Sequence, residues 1–148
     1  MRRFIVGLNA LICAVSTSAA AAADTNPLIA ERWKTRPVVV FAPSADDALL
    51  KQVDAAWNQA SVREDFEARD MVLYSVIEGQ GRRNDTALSP EQTQAMLAAL
   101  SLNAKSQATL LLLGLDGNVK VQQSASADLK ALFPVVDAMP MRRNSPSR

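Results

Sequence analysis

Apolar residues in this chain gather into short β-branched runs and longer helically spaced stripes, and the two alternate. Pro37 opens the run Val38-Val39-Val40-Phe41-Ala42. Consecutive β-branched residues without polar alternation predict a strand covered on both faces, as in the interior of a parallel sheet. Pro43-Ser44 closes it, and Ser44 or Asp46 is placed to cap the helix that follows. Leu49, Leu50, Val53, Ala56 and Trp57 mark that helix, which Arg63 to Arg69 extends or repeats with Phe66 inward. Met71 to Ile77 is a second strand, closed by Gly79-Gln80-Gly81, and Arg82 to Leu88 reads as a polar loop.

Ser89-Pro90-Glu91-Gln92 is a helix start, with a capping Ser, Pro at the first position and Gln three residues after the cap. Met96, Leu97 and Leu100 supply its buried side. Thr109 to Leu113 and Val119 to Gln122 flank Leu115-Asp116-Gly117-Asn118, and Asp-Gly between apolar runs signals a hairpin. A last helix, started by Ser126 or Asp128, carries Leu129, Leu132, Phe133 and Val136 at helical spacing. Pro134 within it should kink or shorten it. Asp24 to Arg36, containing Trp33, is a lead-in expected as a short helix or arm. The order β-α-β-α-β-β-α, with a right-handed crossover between the first two strands, predicts an α/β, thioredoxin-like fold. Its expected form is one mixed four-stranded sheet with helices on both faces.

Residues 1–23 stand outside this pattern. Arg2 and Arg3 precede an apolar run from Ile5 to Val15, and a small-residue stretch ends at Ala21-Ala22-Ala23. That is the layout of a cleaved signal peptide, with an apolar run well short of the roughly 20 residues that span a bilayer. The expectation is a periplasmic or secreted protein with no membrane span after cleavage. One domain is then expected over residues 24–143, followed by a disordered tail at 144–148. Cys13, preceded by Ile12 instead of a small residue, does not fit a lipid-anchor site.

Composition narrows the chemistry. The chain has 148 residues, one Cys, no His and a formal charge of +1. Loss of Arg2, Arg3 and Cys13 with the signal leaves a mature chain with no Cys, no His and a formal charge of −1. A near-neutral chain lacks the basic footprint of a nucleic-acid binder. No histidine base or His-ligated metal is available, and no thiolate can carry thiol–disulfide exchange.

With the elements placed, three segments carry a family pattern: Trp33-Lys34 with Arg36 to Asp47, Gly114 to Lys120, and Leu132-Phe133 with Val136 to Arg143. The last contains Asp-Ala-Met-Pro-Met-Arg-Arg, the most specific piece. The chain resembles, over about residues 28–143, a family of thioredoxin-like domains of unknown function. Its members are exported bacterial proteins and domains of vertebrate sushi-repeat and coiled-coil-domain extracellular proteins. The resemblance implies the fold and an extracytoplasmic setting but no catalytic roles. Where working thioredoxins carry their dithiol, this chain reads Ala42-Pro43-Ser44-Ala45-Asp46-Asp47-Ala48, and Ser106 to Thr109 lacks their cis-proline.

Two segments are candidate binding surfaces. Ser44, Asp46 and Asp47 sit at a helix start, where capping is the simpler reading. The alternative is a small hydrolase using Ser44 and those carboxylates, although a serine nucleophile needs a base. Two adjacent carboxylates fall far short of a Ca²⁺ ligand set. Met139, Met141, Arg142 and Arg143 form the second segment, read as a helix stop at Pro140 or as a contact patch, since Met and Arg are enriched at interfaces. Two thioethers alone make a poor Cu(I) site. Gly79-Gln80-Gly81 lacks the third glycine of a nucleotide fingerprint, and Arg82-Arg83 reads as a solvated loop or a contact to an acidic partner. No cofactor or metal is expected. The function expected is redox-inactive binding of an extracytoplasmic protein or ligand.

Overall fold

The computed structural model describes residues 25–140. The expected signal segment with Cys13, the tail, and Met141, Arg142 and Arg143 lie outside the described residues. Strand β1, Arg36–Ala42, is buried at all seven positions, and Val38, Val39 and Val40 have no exposed surface. It pairs in parallel with β2, Met71–Ile77, from Arg36↔Met71 to Ala42↔Ile77. On its other edge it pairs antiparallel with β5, Thr109–Leu113, through Val38↔Leu112 and Phe41↔Thr109. Strand β6, Val119–Gln123, returns beside β5 after a turn in which Gly117 takes a φ of +80°. The crossover pair and the Asp-Gly hairpin thus form as the sequence predicts.

The sheet has six strands, two more than the pattern predicts. Glu78 and Gly79, with φ of +51° and +79°, make a two-residue hairpin that brings β3, Gln80–Arg83, antiparallel to β2. Positive φ at both central residues gives the twist that joins adjacent strands. Asn84, with a φ of +49°, turns the chain again into β4, Thr86–Ala87. Residues 82–88 are therefore not simply a loop. Only Gly81 of β3 is buried, so this hairpin carries no apolar run, and backbone pairing holds it in the sheet. The strand order is β4-β3-β2-β1-β5-β6.

Alternation along the strands divides the core. Val38, Val40, Leu73, Leu110 and Leu112 face α2, Ala48–Trp57, α3, Ala60–Ala68, and α5, Leu132–Asp137. Val39, Val72, Tyr74, Val76, Leu111 and Leu113 face α1, Pro27–Glu31, and α4, Pro90–Ala99. Helices cover both faces, in three layers.

Local signals explain most of the helix ends. Ser89 and Gln92 exchange the two hydrogen bonds of a capping box, at 3.1 and 3.0 Å, and open α4. Asp47, not Ser44 or Asp46, caps α2 by accepting from the Leu49 amide at 2.9 Å. The last helix begins at Leu132 instead of near Ser126 or Asp128. Asp128 instead holds the preceding turn, accepting from the amides of Lys130 and Ala131 at 2.9 and 3.2 Å. Pro134 then falls in the first turn of α5, where a missing N–H costs nothing. The chain leaves α5 at Asp137, before Met139 and Pro140.

An ionic clamp fixes α5 to α3. The Arg69 guanidinium donates to both carboxylate oxygens of Asp137 at 3.0 Å and to Asp65 Oδ1 at 2.9 Å. It also lies 4.6 Å from the centre of the Phe133 ring, which meets Phe66 edge-on.

Gly81 of β3 sits tightly against Thr93 of α4. A Cβ there would collide with the Thr93 hydroxyl and come 3.1 Å from Leu88 Cδ1. Gly81→Ala should destabilise the domain by about 1–3 kcal/mol, measured by urea unfolding, without change in the denaturant slope.

Candidate functional site

Ser44 and Met139, described members of the two sequence-predicted surfaces, lie at opposite ends of β1. Seven residues at about 3.3 Å each separate them by roughly 20 Å, so the structure does not bring them together. At the C-terminal end, the Ser44 hydroxyl accepts from the Asp46 amide at 3.2 Å, and the Ala45 amide donates to Glu78 at 3.3 Å. The Asp46 side chain is 94 % exposed and stands 3.7 Å from Lys51. Asp47 is occupied as the α2 cap. These contacts make a capped turn, with no base placed on the Ser44 hydroxyl.

The N-terminal end is concave. Trp33, Arg36, Leu115, Met139 and Pro140 line a cavity of about 240 Å³. Trp33 holds its position through the backbone: at a φ of +63° its amide donates to the Leu115 carbonyl at 2.8 Å. The residue is nevertheless 65 % exposed, the most exposed large apolar residue among those described. Met139 is half-buried and packs against the α5 side of the core. Met141, Arg142 and Arg143 follow it in the chain but lie outside the described residues.

A rigid turn borders this cavity. The Asp116 carboxylate accepts from Lys120 Nζ at 2.8 Å and from the backbone and side chain of Asn118 at 3.1 and 2.9 Å. The Lys120 and Asn118 hydrogen bonds hold its pKa down to about 2. Gly114 leaves room for the ion pair, because a Cβ would stand 2.6 Å from Lys120 Cε and 2.9 Å from Asp116 Oδ1. The rim is therefore charged but internally neutralised.

A third place was not foreseen from sequence. Tyr74 and Arg83 face one another across the β2–β3 register, and Glu31 descends on them from the end of α1. Glu31 Oε1 accepts from the Tyr74 hydroxyl at 2.8 Å and from Arg83 Nε at 2.7 Å, and Oε2 accepts from Thr35 at 2.6 Å. Glu31 is only 7 % exposed. Burial pushes its pKa up, but the hydrogen bonds from Arg83, Thr35 and Tyr74 outweigh that, and the carboxyl lies below its ordinary value. Burial and the Glu31 carboxylate both push the Tyr74 pKa up. A cavity of about 420 Å³ opens beside this network. Tyr74, the chain's only tyrosine, was the available clue, because a tyrosine buried in an apolar strand needs a partner for its hydroxyl.

All three places fall within residues 27–145, which match one family model. The chain belongs to the family described as Domain of unknown function (DUF4174). No curated protein matches it. None of the described helices of this DUF4174 domain is long and apolar enough to cross a membrane.

Glu31 gives the DUF4174 fold an acid-sensitive fastening. Its carboxyl is lowered on folding, so its contribution is complete above the ordinary value of 4.5 and is lost as pH falls through the folded value. Glu31→Gln should therefore lower stability at pH 7 and flatten the acid limb of the unfolding-free-energy profile below about pH 5, measured by urea titrations across pH. An acid limb as steep as wild type would show that Glu31 does not supply it.

Proposed function

We propose that this DUF4174 chain is an exported, redox-inactive, thioredoxin-like domain that works by binding a protein partner. The observation that carries the reading is the cleft that Trp33 and Met139 form at the N-terminal end of β1. A tryptophan that is largely exposed yet fixed by its backbone, lining one cavity with a methionine, a proline and charged groups, has the composition of an interface centre. Ordering such a surface on binding costs little, because its backbone is already set.

The other parts of the reading have separate support. Apart from the β3–β4 hairpin, the strands run β6-β5-β1-β2, parallel at β1–β2 and antiparallel elsewhere, with helices on both faces. This agrees with a thioredoxin-like sheet extended by one hairpin. Redox inactivity follows from a sequence with no Cys beyond Cys13 and an Ala-Pro-Ser-Ala-Asp-Asp turn after β1. Export to the periplasm or beyond rests on the signal-like residues 1–23. The hydrolase reading gains nothing from the geometry of Ser44. Arg142 and Arg143 follow Pro140 in the sequence and are included in the proposed surface on that ground alone.

A photo-crosslinking residue placed at position 33 of the full chain, in intact cells, should capture a discrete partner that the same residue at position 44 does not. Trp33→Ala should weaken the purified pair by about 30-fold, as for a central interface residue, and leave the melting temperature unchanged. Arg142→Ala with Arg143→Ala should weaken it without loss of stability. Equal capture from positions 33 and 44 would overturn this surface.

A further inference from the structure

In the cavity beside Glu31, the acceptor oxygens of three side chains are already engaged. Both Glu31 oxygens are occupied, by Tyr74 and Arg83 on one and Thr35 on the other. Gln92 lines the cavity with its carbonyl oxygen already bound to the Ser89 amide, and Asn26 with its own bound to the Leu28 amide. The parts of those side chains that remain are NH₂ groups, which only donate. Arg83 meets Glu31 through Nε alone, and its side chain is 43 % exposed.

Arg69 shows what an arginine in this fold does when fully used. It holds Asp137 through Nε and one terminal nitrogen and Asp65 through the other. Arg83 has the first carboxylate and lacks the second. Pro27, Ile29, Ala30 and Leu88 give the lining an apolar part, and Thr25 adds a hydroxyl. A volume of about 420 Å³ lies in the range of small-molecule sites.

We infer that this cavity binds a small monocarboxylate with a short apolar tail, its carboxylate on the open side of the Arg83 guanidinium and the Gln92 and Asn26 amides, its tail against Pro27, Ile29 and Leu88. The inference is independent of the Trp33 surface. Arg83 would be shared between the ligand and Glu31, so affinity is modest and selectivity comes from the planar fork. The carboxylate can belong to a free short-chain acid or to the end of a peptide.

The test is titration of the ¹⁵N-labelled full chain, following the Arg83 Nε–H and Gln92 side-chain amide signals by NMR. Sodium hexanoate should move both saturably, and hexanamide, which has the same tail without the charge, should not. Ile29 is 42 % exposed, so Ile29→Glu should fold normally, place a negative charge at the cavity and weaken hexanoate by about tenfold or more. Arg83→Lys keeps the charge and removes the fork, and should weaken it similarly. N-acetyl-glycyl-leucine with a free carboxylate, binding more tightly than hexanoate, would support a peptide end as the source, and binding more weakly would support a free acid. Equal binding of hexanamide, shifts that never saturate, or full binding by the Ile29→Glu variant would overturn the site.

Discussion

Strand β1 has hydrogen-bonded neighbours on both edges and helices on both faces, so it has no exposed direction in which to turn a polar side chain. That constraint organises the domain. Its alternate residues seed two cores, Val38 and Val40 toward α2, α3 and α5, and Val39 and Phe41 toward α1 and α4. A polar residue at any of the three valines would need a buried partner that neither core provides. The placement of the candidate sites also depends on β1, because its length sets the separation between the capped turn at Ser44 and the cleft at Met139.

Much of this was legible because burial and sequence carry the same signal in the interior. The unbroken apolar runs gave β1, β2 and β5, the capping box gave α4, and Asp116-Gly117 gave the β5–β6 hairpin. What escaped was held together by other means. Strands β3 and β4 face solvent over most of their length and leave no apolar trace, so only the Glu78-Gly79 and Asn84 turns announce them. Asp47 displaced Ser44 and Asp46 as the α2 cap because helix entry depends on the backbone at one position, which three neighbouring oxygen-bearing side chains do not distinguish. The start of α5 was placed too early because the stripe from Leu129 to Val136 is continuous in sequence, whereas Pro134 confines helical geometry to its C-terminal part.

The candidate sites divide similarly. Met139 stood out in sequence as a candidate, but its sharing a cavity with Trp33 depends on the fold, in which the Leu115 carbonyl holds a residue more than eighty positions earlier. The Glu31 network joins α1, β2 and β3, and no spacing within one element encodes it. Its members are ordinary residues that become a group only when the sheet register sets Tyr74 opposite Arg83.

The outer strands of the sheet carry a further consequence. Strand β4 is two exposed residues long, and β6 has Lys120 on its length opposite an irregularity in the pairing at Leu112–Leu113. Short, charged or irregular edges resist extension by another strand. A partner laying down an extended segment would find no long, regular ladder to continue. Both outer edges of the sheet therefore discourage pairing with a strand of a second molecule, which works against edge-to-edge aggregation.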